Sequence, residues 1–201
     1  NLKSYFPLKF LRESFCLAGV GEEHPLYERG TMAFAIADAI LASVDNPEFA
    51  PLRRYLDEEH NSQVLGKQAR LLSLSSRIAD AFDGYLLYRH EWFGKDGNWS
   101  SIDKTLLESR AGRHLSWQQH LFGVINEIGK GRHRAHLAHE LMQRFAQGEG
   151  TEGSFPQEIF VFGISYLPKL YLQVFNAIST VSDIYLFVPN PCREYWADLS
   201  S

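Results

Sequence analysis

Two stretches of this chain hold side chains whose types and spacing could read a nucleic acid. In RIADAFDGYLLYRHEW, residues 77–92, Asp80 and Asp83 are three apart, which puts both carboxylates on one face of a helix, and Tyr85, Tyr88 and Arg89 follow closely. Carboxylates accept hydrogen bonds from the N–H groups of exposed guanine or cytosine edges, while an arginine alongside neutralises a phosphate or donates to a base. The same pair also reads as a solvent-facing couple that keeps a helix soluble. As catalytic carboxylates the two lack a third ligand at a suggestive spacing. In IGKGRHRAHLAHE, residues 128–140, Lys130, Arg132 and Arg134 form the one strongly basic segment, and phosphate contacts need local cation density of this kind. An ordinary soluble helix face is the alternative. His133, His136 and His139 fall three apart and drift around a helix, unlike the i, i+4 pair of helical zinc sites, so no metal site is expected.

Other chemistries are weakened by what the sequence lacks. The segment EIGKGRHR places Lys130 between glycines but has neither the hydroxyl nor the preceding strand of a phosphate loop, so no nucleotide cofactor is expected there. The 201 residues carry a net charge of −4, so any polyanion site must be a local patch. Two cysteines, Cys16 and Cys192, make no disulfide framework and fit a reducing cytoplasm. There is no signal-peptide pattern and no apolar run long enough to span a bilayer, so no membrane association is expected. The absence of an initiator Met and the end at ADLSS lead us to expect a piece of a longer protein.

The elements that must position these residues are mostly helical. Apolar spacing predicts helices over 7–18 and over 31–44, the latter capped by Thr31, and a short one from Asn46-Pro47 through Tyr55 and Leu56, closed by DEEHNS. A long helix over about 63–89 is expected to turn Leu65, Leu72, Ile78, Phe82, Tyr85 and Leu86 inward. Residues 94–112 read as a connection with one short helix, followed by helices over 113–128 and 132–147. GEGTEGSFP, residues 148–156, marks the clearest boundary. Beyond it, EIFVFGI and DIYLFV are nearly continuous apolar runs flanking an amphipathic stretch over 167–180. That pattern predicts a buried βαβ unit with a parallel strand pair. In NPCREYW, residues 190–196, Asn190 as cap, Pro191 at the first position and Glu194 in the first turn read as a helix start. The expected fold is therefore α/β and mostly helical: a bundle-like subdomain over 1–147, a linker over 148–156 and a βαβ portion with a short parallel sheet over 157–201.

The segment EIFVFGISYLPKLYLQVFNAISTVSDIYLFVPNPCREYWADL resembles the RecC family, the gamma chains of bacterial exodeoxyribonuclease V, chiefly in FGIS-LP--YL and NPCR-YW-D. The likeness extends upstream through FAPLRRYL, SSRIADAFDGYLLYRHEW and HRAHL, and more loosely to FPLKFLRESF; it is weakest at about 94–128. The resemblance implies the N-terminal part of a protein built like a superfamily 1 helicase that has lost its nucleotide-binding residues. The helical part would be similar to the inserted subdomain of the first motor-like domain and residues 157–201 to a piece of its sheet, with Tyr195 and Trp196 packing rather than stacking on bases. It further implies work within a helicase and nuclease complex for recombinational repair of double-strand breaks. Single-stranded DNA and RecB-like and RecD-like subunits would be the partners, and a hot-spot sequence would be recognised. Asp80, Asp83, Arg89 and Arg134 fall on the implied recognition surface, with Lys130 and Arg132 beside Arg134. Two positions depart from the family pattern: Ala81 replaces a larger apolar residue, and Arg12 replaces an aromatic one. On this reading the chain hydrolyses nothing by itself and carries no cofactor. A scaffold that docks the other subunits without touching DNA is the competing expectation; an active helicase module is opposed by the missing phosphate loop.

Overall fold

The computed structural model describes residues 3–57, 66–94, 96–100, 115–149, 154–162 and 166–188. Among them are seven α-helices and one two-stranded parallel sheet, the mostly helical α/β arrangement that the apolar periods predict. Helix α1 (Pro7–Leu17) begins with proline at its first turn, where the missing N–H has no intrahelical partner to lose. Helix α2 (Arg29–Ser43) starts after Glu28, so Thr31 lies inside it rather than at its cap, because the turn at Pro25–Tyr27 has already delivered the chain and Met32 donates to the Glu28 carbonyl. Helix α3 (Ala50–Asp57) follows a short 3-10 turn at Pro47–Phe49.

Helix α4 (Lys67–Tyr88) turns Leu71, Ser75, Ile78, Ala79, Phe82 and Leu86 inward. Leu72, expected in this stripe, is exposed. It lies six residues before Ile78, about 240° away around the helix, whereas Leu71 returns to the same face in seven. Tyr85 is half-buried, and Leu65 lies outside the described residues. Helix α5 (Leu115–Ile128) completes a first core with α2 and α4 around Tyr27, Ile36, Phe49, Phe82 and Phe122.

A second core unites helix α1, helix α6 (Arg134–Ala146) and a βαβ unit made of β1 (Glu158–Phe162), α7 (Lys169–Ile178) and β2 (Asp183–Phe187). The segment expected to be a linker brings Phe155 into this core, edge-on to Phe145. The strands pair in parallel from Glu158 opposite Asp183 to Phe162 opposite Phe187. Their apolar runs led us to expect burial on both faces, and this is not what the strands show. Ile159, Val161 and Ile184 face the core, while Phe160, Phe162, Tyr185 and Phe187 point outward and are exposed. Phe160 and Tyr185 stack there with ring centroids 5.0 Å apart. The helix start expected at Asn190 and most of the 94–112 connection lie outside the described residues.

The close approach of the α5–α6 turn to residues 96–100 needs glycine on both sides. Gly97 and Gly131 both have positive φ, +74° and +67°, and a Cβ on Gly97 would meet the Gly131 carbonyl oxygen at 2.7 Å. Both the left-handed backbone and the contact oppose a side chain. Gly97→Ala is therefore expected to destabilise the fold by more than about 1 kcal/mol in urea denaturation; an unchanged midpoint would show that this approach is not tight.

Candidate functional site

Helix α4 carries two faces with different chemistry near its C-terminal end. On the inner side Asp83 is only 7% exposed, held against α2 and α6 by arginines. Arg134, the first residue of α6, donates from Nη2 to Asp83 Oδ1 and from Nε to Glu23 Oε1 at 3.2 Å, and its backbone N–H donates to the same Glu23 oxygen. Glu23, in the loop between α1 and α2, accepts from Arg12 Nε on its other oxygen at 3.0 Å. Asp83 Oδ2 accepts from Arg29 Nε and Nη2 at 3.0 and 2.9 Å, and Arg29 Nη1 lies 3.7 Å from Asp80. The charges alternate along a relay, Arg12–Glu23–Arg134–Asp83–Arg29–Asp80, with Glu28 branching from Arg12 at 3.7 Å. Burial of charge requires this, since each inner carboxylate must meet cations with good hydrogen bonds to offset its desolvation. Arg12, 38% exposed, is thus the end of the relay opposite Asp80, and the buried members lie between the two. Hydrogen bonding to Asp83, then the charge of Asp83, holds the Arg29 guanidinium above its ordinary value, with Asp80 and Tyr88 adding smaller effects against the lowering by burial.

On the outer side Asp80 is 63% exposed, and Ala81, Tyr88 and Arg89 share its solvent-facing surface. Ala81, Gly84, Tyr85, Tyr88, Arg89 and Tyr166 line an open pocket of about 490 Å³. Its floor is made of small residues: Gly84 has nothing within 4 Å of where a Cβ would be, and Ala81 contributes only a methyl group. Tyr166, just before α7, meets Tyr88 with ring centroids 6.2 Å apart and planes tilted by 40°. Arg89 ends α4; its guanidinium lies 5.9 Å from the Trp92 ring centroid and 3.4 Å from the Tyr88 carbonyl. No carboxylate among the described residues pairs with it. Exposed rings beside an uncompensated guanidinium suit a stacked base and its phosphate.

The six residues expected to form one recognition surface are therefore divided by the fold. Arg89 lines the pocket, and Asp80 is exposed on the same helix without being one of its lining residues. Asp83 and Arg134 lie inside the relay with their hydrogen bonding spent on protein. Arg132 donates to the backbone carbonyls of Val20 and Glu22, the latter at 3.4 Å, and so ties down the α1–α2 loop. Lys130 is exposed in the α5–α6 turn with positive φ and does not line the pocket. Sequence reading missed Arg29, Glu23 and Tyr166. The first two stand 54 and 111 positions from the partners they bind, and nothing in their local sequence signals it. Tyr166 falls in the unmatched gap of FGIS-LP.

His133 is buried and His139 exposed, and among the described residues no three His, Cys, Asp or Glu side chains gather as a metal-holding group. No helix among them is long and apolar enough to cross a membrane. The family described as RecC, N-terminal domain, matches the chain over residues 1–201. A RecBCD enzyme subunit RecC from Haemophilus influenzae is 32% identical over 220 residues, covering 100% of this chain and 19% of its own length. Its namesake from Escherichia coli K12 is 29% identical over 204 residues, covering 99% and 17%. A third, from Mycolicibacterium smegmatis, is 23% identical over 186 residues, covering 92% and 16%. The chain thus spans less than a fifth of the length of these relatives.

Proposed function

The chain belongs to the RecC N-terminal-domain family, and from that premise we propose that it is a non-catalytic, DNA-contacting part of a RecC-type subunit. In this reading it works in the cytoplasm with RecB-like and RecD-like subunits, in a helicase and nuclease complex that processes double-strand breaks for recombinational repair. Single-stranded DNA lies along the outer face of α4. The observation that carries the reading is the exposed, uncompensated Arg89 set among Tyr88 and Tyr166 over a floor of small residues.

Each group has a separate task. Tyr88 and Tyr166 offer flat faces to bases, and stacking of this kind tolerates any sequence. Arg89 meets phosphate or a base edge, and Asp80 accepts from guanine or cytosine N–H groups, which is where discrimination of a hot-spot sequence enters. Lys130 adds a more distant phosphate contact. Asp83 and Arg134 act from behind by fixing α4 against α2 and α6.

The test is fluorescence anisotropy of a labelled single-stranded oligonucleotide across a salt series. Arg89→Ala is expected to weaken binding by about 1–3 kcal/mol and to flatten the salt dependence. Equal affinity and slope in parent and variant would remove Arg89 from the interface. A second reading, a scaffold that docks other subunits, draws on the outward aromatic face of the sheet, since interface cores are enriched in such side chains. Absence of single-strand binding even at low salt would favour that reading.

A further inference from the structure

Arg29 stands where its own helix gives no reason for it. It is the first residue of α2, at the positive end of the helix dipole, and the first turn holds no acidic residue to offset a guanidinium. The side chain leaves α2 and crosses to α4, where two of its five donors are used by one oxygen of Asp83. Even so it is 67% exposed, and Nη1 stops 3.7 Å from Asp80. Donors therefore remain available to solvent beside Asp80, on the helix whose outer surface carries Ala81, Gly84 and Tyr88.

The electrostatic setting gives those donors a use. Two carboxylates beside a passing phosphate backbone repel it, and Arg134, the other cation on Asp83, is turned inward and shared with Glu23. Of the two cations on Asp83, Arg29 is the one that faces outward. By binding Asp83 Oδ2 while Arg134 binds Oδ1, it also leaves Asp83 with no strong acceptor for a base. Asp80, held only loosely at 3.7 Å, keeps its own.

We infer that Arg29 is a phosphate-contacting residue of the single-strand site and that, by occupying Asp83, it leaves Asp80 as the acid that reads bases. The inference rests on the reading of the α4 pocket as a single-strand site. It differs from that reading in assigning a second cation, from another helix, and in dividing the acid pair into one reader and one support.

The full chain is titrated with a labelled single-stranded oligonucleotide over a salt series, beside Arg29→Gln, Arg29→Lys and Arg89→Ala, with circular dichroism recording helix content. Arg29→Gln keeps one hydrogen bond to Asp83 without the charge; it is expected to weaken binding roughly tenfold at low salt and to lower the log–log salt slope by about one. Arg29→Lys keeps the charge and should keep the slope, an outcome that a purely structural role would not produce. An unchanged slope in Arg29→Gln while Arg89→Ala lowers it overturns the assignment of Arg29 alone. No slope in the parent, or none lost in either variant, overturns the single-strand site itself.

Discussion

Arg134→Ala lowers the unfolding free energy by about 3–5 kcal/mol, while Asp80→Ala at the exposed end of the same relay changes it by about 1 kcal/mol or less. The contrast follows from burial. Arg134 is 5% exposed and sits between Glu23 and Asp83, which are 2% and 7% exposed, so its removal leaves two desolvated carboxylates facing a void. Arg12 and Arg29 remain on their outer oxygens, which places the loss toward the lower end of the range. Asp80 loses only a 3.7 Å contact in water. Urea denaturation of the two variants checks this, and similar midpoints for both would refute the description of Arg134 as a buried, doubly paired cation. The outcome also bears on DNA measurements. Weaker binding by Arg134→Ala must be corrected for its unfolded fraction before any of it is assigned to lost contact.

Acidification from pH 6.5 to pH 5 removes about 1.5 kcal/mol of stability through His133. This side chain caps α6: Nδ1 accepts from the His136 N–H at 3.2 Å, which leaves Nε2 as the protonated nitrogen that donates to the Gly97 carbonyl at 2.8 Å. A second proton would have to sit on Nδ1, facing that N–H. Burial accordingly pulls the imidazole down to about 4; the Gly97 hydrogen bond opposes the drop, and the charges of His136 and Arg134 add to it. Between that value and the ordinary 6.5 the unfolded chain binds a proton that the folded chain does not. Stability is therefore full above about pH 6.5 and declines as the pH falls toward 4. In His133→Asn the cap acceptor survives and the titration does not, so melting temperatures measured between pH 7 and pH 5 should fall less than in the parent. His136, also lowered by burial, supplies a remainder common to both proteins. Parallel falls would rule out His133 as the source.

What the sequence disclosed about this fold is what repeats along the chain. Ile78, Phe82 and Leu86 recur at the helical period, and the two β-branched and aromatic runs around an amphipathic stretch could hardly be anything but strand, helix, strand. What stayed hidden depends on elements meeting from far apart. Asp80 and Asp83 look equivalent at three residues' separation, yet about 60° of helix rotation puts one in water and the other between two arginines from α2 and α6. Arg134 sits in the most basic segment of the chain, so local charge density suggested surface, and it is held inside by two acids, one 51 and one 111 positions away. The sheet misled differently. Its apolar runs showed that the strands carry buried-type side chains without showing that only one face would join the second core. Of the pocket, the α4 residues were legible as a cluster, while Tyr166 came from a strand-to-helix connection with no periodic link to it.

The relay also bears on time. Its central bonds close separations of 51, 54 and 111 residues, so they cannot form until α2, α4 and α6 have already been brought together, and each closure is entropically unfavourable before then. Interactions that arrive after the rate-limiting step of folding do not hasten it; they must be undone before the native state can open, and so they lengthen its lifetime. The alternating charges of Arg12 through Asp80 are thus expected to act as a kinetic lock: Arg134→Ala should speed unfolding in stopped-flow measurements far more than it slows folding.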